Sequence, residues 1–152
     1  MTLSAHTSAA IYISTKVANP LLAFILGIVS HFILDIIPHG DENIGQHITD
    51  ESARLRYFVK TAALDAFLSL CLVFIFLQSK LNINHGALSS AVIGAWLPDV
   101  LWASVQVFRV KWLDWFCRLH SKIHDILGVK LPFKVGVVIQ LVFILAMLKL
   151  SL

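Results

Sequence analysis

Residues 20–37 read PLLAFILGIVSHFILDII, a nearly unbroken apolar run that nevertheless contains His31 and Asp35. A run of this kind approaches the ~20 apolar residues that a helix needs to cross the hydrocarbon core of a bilayer. Placing a carboxylate at mid-bilayer costs ~2.5–3.5 kcal/mol on insertion scales. A helix that keeps one there must turn it inward and pair it. The chain is therefore constrained to bundle such helices around their polar groups.

The pattern recurs. Ala62–Gln78, Gly86–Phe108 and the shorter Val135–Leu148 are further candidate spans, and Asp65 and Asp99 lie inside two of them. Leu3–Val17 is a short apolar segment, ended by Asn19-Pro20, that spans, tilts or re-enters. Pro38 and Gly40 stop the helix over 20–37, and Gly40–Ser52 is a polar, acidic loop. A helix is expected from about Ala53 to Ser79, then a turn over 80–84, then a helix over His85–Phe108 that Pro98 kinks or splits. Arg109–Leu127 has apolar residues at helical spacing between Lys111, Asp114, Arg118 and Lys122, which predicts an amphipathic helix at the membrane interface. Pro132–Leu150 is a last apolar helix.

The expected fold is all-α: one integral membrane domain over 1–152, with four to five membrane helices and one amphipathic interfacial helix. Composition agrees, at 58% hydrophobic and 14% charged, against ~25% charged in soluble domains. The 12 Lys and Arg residues are not interleaved with aromatics on a polar face, so nucleic-acid binding is not expected. Membrane lipids are the expected surroundings. Cys71 and Cys117 show no CxxC or Cys/His spacing and read as reduced, structural thiols. The start, MTLSAH, lacks a basic n-region and a cleavage site, so the first segments are expected to stay in the membrane. Trp96, Trp102, Trp112 and Trp115 read as core packing or interfacial anchors.

The chemistry lies in the polar residues of the apolar segments. His31 and Asp35, four apart, share a helix face, as do His120 and His124. His39 and Asp41 follow Pro38. If the helices alternate in direction, His6, His31, Asp35, His39, Asp99, His120 and His124 fall toward one side, with Asp65 about 18 Å along its helix. Only His85 falls clearly on the other. Imidazoles and carboxylates paired at i,i+4 and joined from other helices suit a metal site. His31, Asp35, His39, Asp99, His120 and His124 are the main candidate ligands, with His6 beside them. Asp65 and Asp41 are candidates for a catalytic base or for orienting a ligand histidine. Zinc is the first choice for mixed nitrogen and oxygen ligands, with manganese or iron as alternatives. Arg54, Arg56, Lys60, Arg109, Lys111, Arg118, Lys122, Lys130 and Lys134 lie on the site side, which the positive-inside rule assigns to the cytoplasm of a multi-pass cell-membrane protein.

The segments Ser30–Asp41, Gly94–Asp99 and Leu119–His124 follow the patterns HxxxDxxPHxD, GxxxPD and HxxxH. In these the chain resembles the small prokaryotic integral membrane proteins classed as membrane-bound metal-dependent hydrolases, and His6 before the first helix is similar too. It is more distantly similar to the zinc-dependent phospholipase C group, which also gathers His and Asp around zinc, although that group pairs His with Glu where this chain has His120 and His124. These resemblances imply a metal-dependent hydrolase of a lipid-like or phosphoester substrate. A carrier or proton relay, or a membrane scaffold, are the other readings of intramembrane His and Asp.

Overall fold

The structure is a computed structural model and describes residues 1–40, 45, 47–79 and 83–152. Among these it forms six α-helices: α1 (Leu3–Lys16), α2 (Pro20–Ile36), α3 (Glu51–Leu77), α4 (His85–Phe108), α5 (Asp114–His124) and α6 (Phe133–Ser151). The helix starts have local causes. Pro20 occupies the first turn of α2, and Asn19 caps it by accepting from the Leu22 N–H. Asp50 and Asn84 cap α3 and α4 in the same way, on the Ala53 and Ala87 N–H groups. These side chains satisfy amides that a helix end leaves without partners.

Two expectations are corrected. Pro98 does not split α4, which runs unbroken through it. A proline removes one amide and crowds the carbonyl a turn earlier, which a packed helix can absorb when its neighbours satisfy the freed groups. The amphipathic segment does not begin at Arg109. That residue takes a left-handed conformation (φ 53°) and ends α4. A 3₁₀ turn over Lys111–Leu113 follows, and α5 covers only Asp114–His124.

α3, α4 and α6 are long and apolar enough to cross a membrane, and α2 is a shorter apolar helix. The packing is inverted relative to a water-soluble protein. Leu21, Leu64, Phe74, Ile75, Val142 and Leu145 are exposed, whereas Ser4, Thr7, Ser8, Ser14, Ser69 and Gln140 are buried. Half of the buried apolar residues among those described are alanines. Lipid-facing helices behave this way, because apolar side chains are at home in the acyl chains and small or polar residues pack the interior.

α1 is the central helix, contacting α2, α3, α4 and α6. Nine of its 14 residues are buried, so the short first segment lies inside the bundle. α2 and α4 form the most extensive pair. A Cβ on Gly27 would overlap the Ala91 carbonyl, and one on Gly94 would overlap the Phe24 carbonyl. The two backbones therefore touch, and the helices run parallel, with 27 beside 91 and 31 beside 95. This alignment brings Asp35 level with Asp99.

The close crossing makes a prediction. Gly94→Val should lower stability in detergent by about 1–3 kcal/mol through overpacking. The exposed Leu141→Val should change it by less than about 0.5 kcal/mol. Denaturant unfolding of the two variants against wild type compares them, and equal effects would contradict the crossing.

Candidate metal centre

Asp35 stands at the middle of the polar interior, with both oxygens buried. Its Oδ2 lies 2.9 Å from His31 Nε2, 3.3 Å from His120 Nε2 and 3.0 Å from His124 Nε2. Its Oδ1 lies 3.2 Å from His6 Nε2 and 2.5 Å from the Met1 amine. The His6 and His31 rings stack with centroids 4.0 Å apart. Asp99 joins from α4, 3.7 Å from His31 Nε2, 3.6 Å from His120 Nε2 and 4.0 Å from His6 Nε2. His39 points into the same region, its Nε2 2.9 Å from the Met1 amine. The structure thus brings together His6, His31, Asp35, His39, Asp99, His120 and His124.

Two sets of these residues have donor atoms close enough to share one ion: His31, Asp35, Asp99 and His120, and Asp35, His39 and His124. The first set has the size of a tetrahedral site. Ligands about 2.0–2.1 Å from one ion stand roughly 3.3 Å apart. The His31–His120 nitrogen pair is 3.2 Å apart. The nitrogen-to-carboxylate distances of 2.9, 3.3, 3.6 and 3.7 Å fall on either side of that value.

Hydrogen-bond chemistry also favours an ion there. His31 Nδ1 is 2.7 Å from the Ala95 carbonyl, which can only accept. The ring therefore donates from Nδ1, and the neutral tautomer turns the Nε2 lone pair inward. His39 repeats the arrangement, with Nδ1 2.6 Å from the Ile37 carbonyl. With the rings neutral, lone pairs of imidazole and carboxylate face each other at distances that a cation between them would satisfy. Among the described residues, Asp35 Oδ2 and both ring nitrogens of His6 are buried without a hydrogen-bond partner. Buried polar atoms are rarely left this way. The donor set fits a divalent ion such as zinc.

Asp65 does not enter the cluster. It sits in α3 and accepts from the Leu3 N–H at 2.5 Å and the Ser4 N–H at 3.2 Å, at the start of α1. A carboxylate suits the positive end of a helix dipole and satisfies its open amides. Asp41 lies outside the described residues. His47 is exposed against the Tyr57 ring, and His85 is exposed at the start of α4.

Sequence reasoning missed Gln140 and Gly136. The Gln140 side chain accepts from the Thr2 N–H at 2.7 Å and donates to the His39 carbonyl at 3.2 Å, tying α6 to both. A Cβ on Gly136 would overlap that same carbonyl. Gln140, the one polar residue between Lys134 and Lys149, was the available signal. Gly136 had none, because its role depends on a segment distant in sequence.

No family model matches the chain, and no curated protein or solved structure matches it.

Cys117 is half-buried in α5. Burial raises its thiol pKa above the ordinary value, and the nearby Asp114 charge raises it further. Two predictions follow from this geometry. Asp65→Ala should cost about 1–3 kcal/mol, the penalty for leaving buried amides unpaired, measured by unfolding in detergent. Alkylation of Cys117 in a Cys71→Ala background should be slower at pH 8 than for a free cysteine and should need a higher pH for half-maximal rate, because only the thiolate reacts.

Proposed function

We propose that the protein is a membrane-embedded, metal-dependent hydrolase acting on a lipid-like or phosphoester substrate. The observation that carries this reading is the near-tetrahedral spacing of His31, Asp35, Asp99 and His120, buried where unpaired groups of this kind are costly. The resemblance to membrane-bound metal-dependent hydrolases points to the same chemistry. In this reading α2, α3, α4 and α6 cross the bilayer around α1, and α5 lies at the cytoplasmic interface. The basic residues on the site side support that orientation. The exposed Trp112 and Trp115 suit an interfacial position for α5 and the turn before it.

A bound ion, zinc first with manganese or iron as alternatives, would lower the pKa of water toward ~7 and polarise a phosphoryl or carbonyl oxygen. The chain's own residues do the rest. His31 is held by the Ala95 carbonyl, so its ring direction is set before substrate arrives. Asp35 is fully enclosed and serves to hold. Asp99 is different. Its side chain is 29% exposed, and it stands farther than Asp35 from the His31 and His120 nitrogens. It is the ligand that lies at the open edge of the set, where water and substrate can reach the site. Asp65 holds the start of α1 and thereby the depth of His6.

The test combines metal content with turnover. Wild-type protein purified without chelators should carry metal by mass spectrometry and cleave an amphiphilic phosphodiester in mixed micelles. His31→Ala and His120→Ala should both lose metal and reduce turnover by more than about 100-fold, beyond what losing an outer-shell partner costs. Metal-free wild type would sink the reading. Proton flux or solute uptake in liposomes without hydrolysis would favour a carrier.

A further inference from the structure

The two candidate ligand sets share one residue, Asp35, and no other. His31, Asp99 and His120 lie in one set, and His39 and His124 in the other. We propose that the centre holds two divalent cations, with the Asp35 carboxylate bridging them. This rests on the reading of the cluster as a metal centre and adds the second ion and its ligands.

Three features support a second site. First, His39 is built as a ligand. Its Nδ1 donates to the Ile37 carbonyl, which turns the Nε2 lone pair inward, as the Ala95 carbonyl does for His31. Its own carbonyl is held by the Gln140 side chain and rests on Gly136. On the other side of the ring, Nε2 faces the Met1 amine at 2.9 Å, a cation standing where a second ion would lie. Second, His124 reaches Asp35 Oδ2 at 3.0 Å, although His31 and His120 already face that oxygen. A single four-coordinate ion would be filled by His31, Asp35, Asp99 and His120, and His124 and His39 would lie outside its ligand set. Third, the second set supplies three protein ligands, the number that leaves a catalytic site one open position.

Bridging follows from the carboxylate itself. Its two oxygens can each serve one ion, Oδ1 doing so in place of the Met1 amine it holds at 2.5 Å, and two-metal sites of this kind hold their ions ~3.5–4 Å apart. Two divalent ions outweigh the charges of Asp35 and Asp99, the carboxylates of the two sets, and leave the centre net positive. A net positive pair with an open position fits an anionic oxygen pair, as on a phosphate ester, better than a neutral carboxylic ester. The reading therefore selects the phosphoester as the substrate class.

The experiment uses full-length protein in detergent, loaded with Zn²⁺ and dialysed, with metal counted by mass spectrometry. Wild type should bind two ions per chain, and His124→Ala and His124→Gln should bind one. His47→Ala, at an exposed histidine, should still bind two. His124 ends α5 and its side chain is part-exposed, so these variants should fold, which thermal unfolding verifies. With Mn²⁺, wild type should give the electron paramagnetic resonance signal of a spin-coupled pair, and His124→Ala that of an isolated ion.

One ion in both wild type and His124→Ala would overturn the second site while leaving the metal-centre reading in place. The Met1 amine beside Asp35 and His39 would then serve as the second cation. Two ions in both would also overturn it, since the second ion would lie elsewhere. No ion in wild type would remove the underlying reading as well.

Discussion

The Asp35 carboxylate is the constraint on which the rest of the bundle depends. It is enclosed on all sides, and an ionised carboxylate in such a setting is tolerated only when paired. Its partners come from separate parts of the chain: His6 from α1, His31 from its own helix, and His120 and His124 from α5. Each of those elements must reach one point. The parallel contact of α2 and α4, the central place of α1 and the folding back of α5 all satisfy that requirement.

Close approach of the helices comes from residues with little side chain. Gly27 and Gly94 let the α2 and α4 backbones touch, so His31 can reach the Ala95 carbonyl. Gly136 plays the same part for the His39 carbonyl. In a membrane there is no hydrophobic gain from bringing two apolar helices together, so tight packing and polar contacts must do it. The Trp96 bond to Thr7 at 2.7 Å and the Gln140 bonds to Thr2 and His39 are of this kind.

α1 shows how local and tertiary demands meet. It lacks a side-chain cap of its own. Asp65 from α3 and Gln140 from α6 take its open amides instead. A helix end buried in a low-dielectric interior must find such partners. That need explains a carboxylate inside the apolar stretch of α3, and it separates Asp65 from Asp35 and Asp99 although all three lie in apolar runs.

By itself the sequence determined that the chain is helical, that its helices are apolar enough to enter a membrane, and that His31 with Asp35 and His120 with His124 share helix faces. These are properties of composition and of spacing along one helix, and both are local. Tertiary structure alone decided that the short first segment is the centre of the bundle, that Asp65 caps it, and that Asp35 belongs to two ligand sets. It also decided that α4 continues through Pro98 and that Gln140 and Gly136 hold His39. The physical reason is that a buried charge, an open amide or a crowded carbonyl is satisfied by whatever group reaches it in space. Which group that is depends on how the helices pack, and spacing along the chain does not record it.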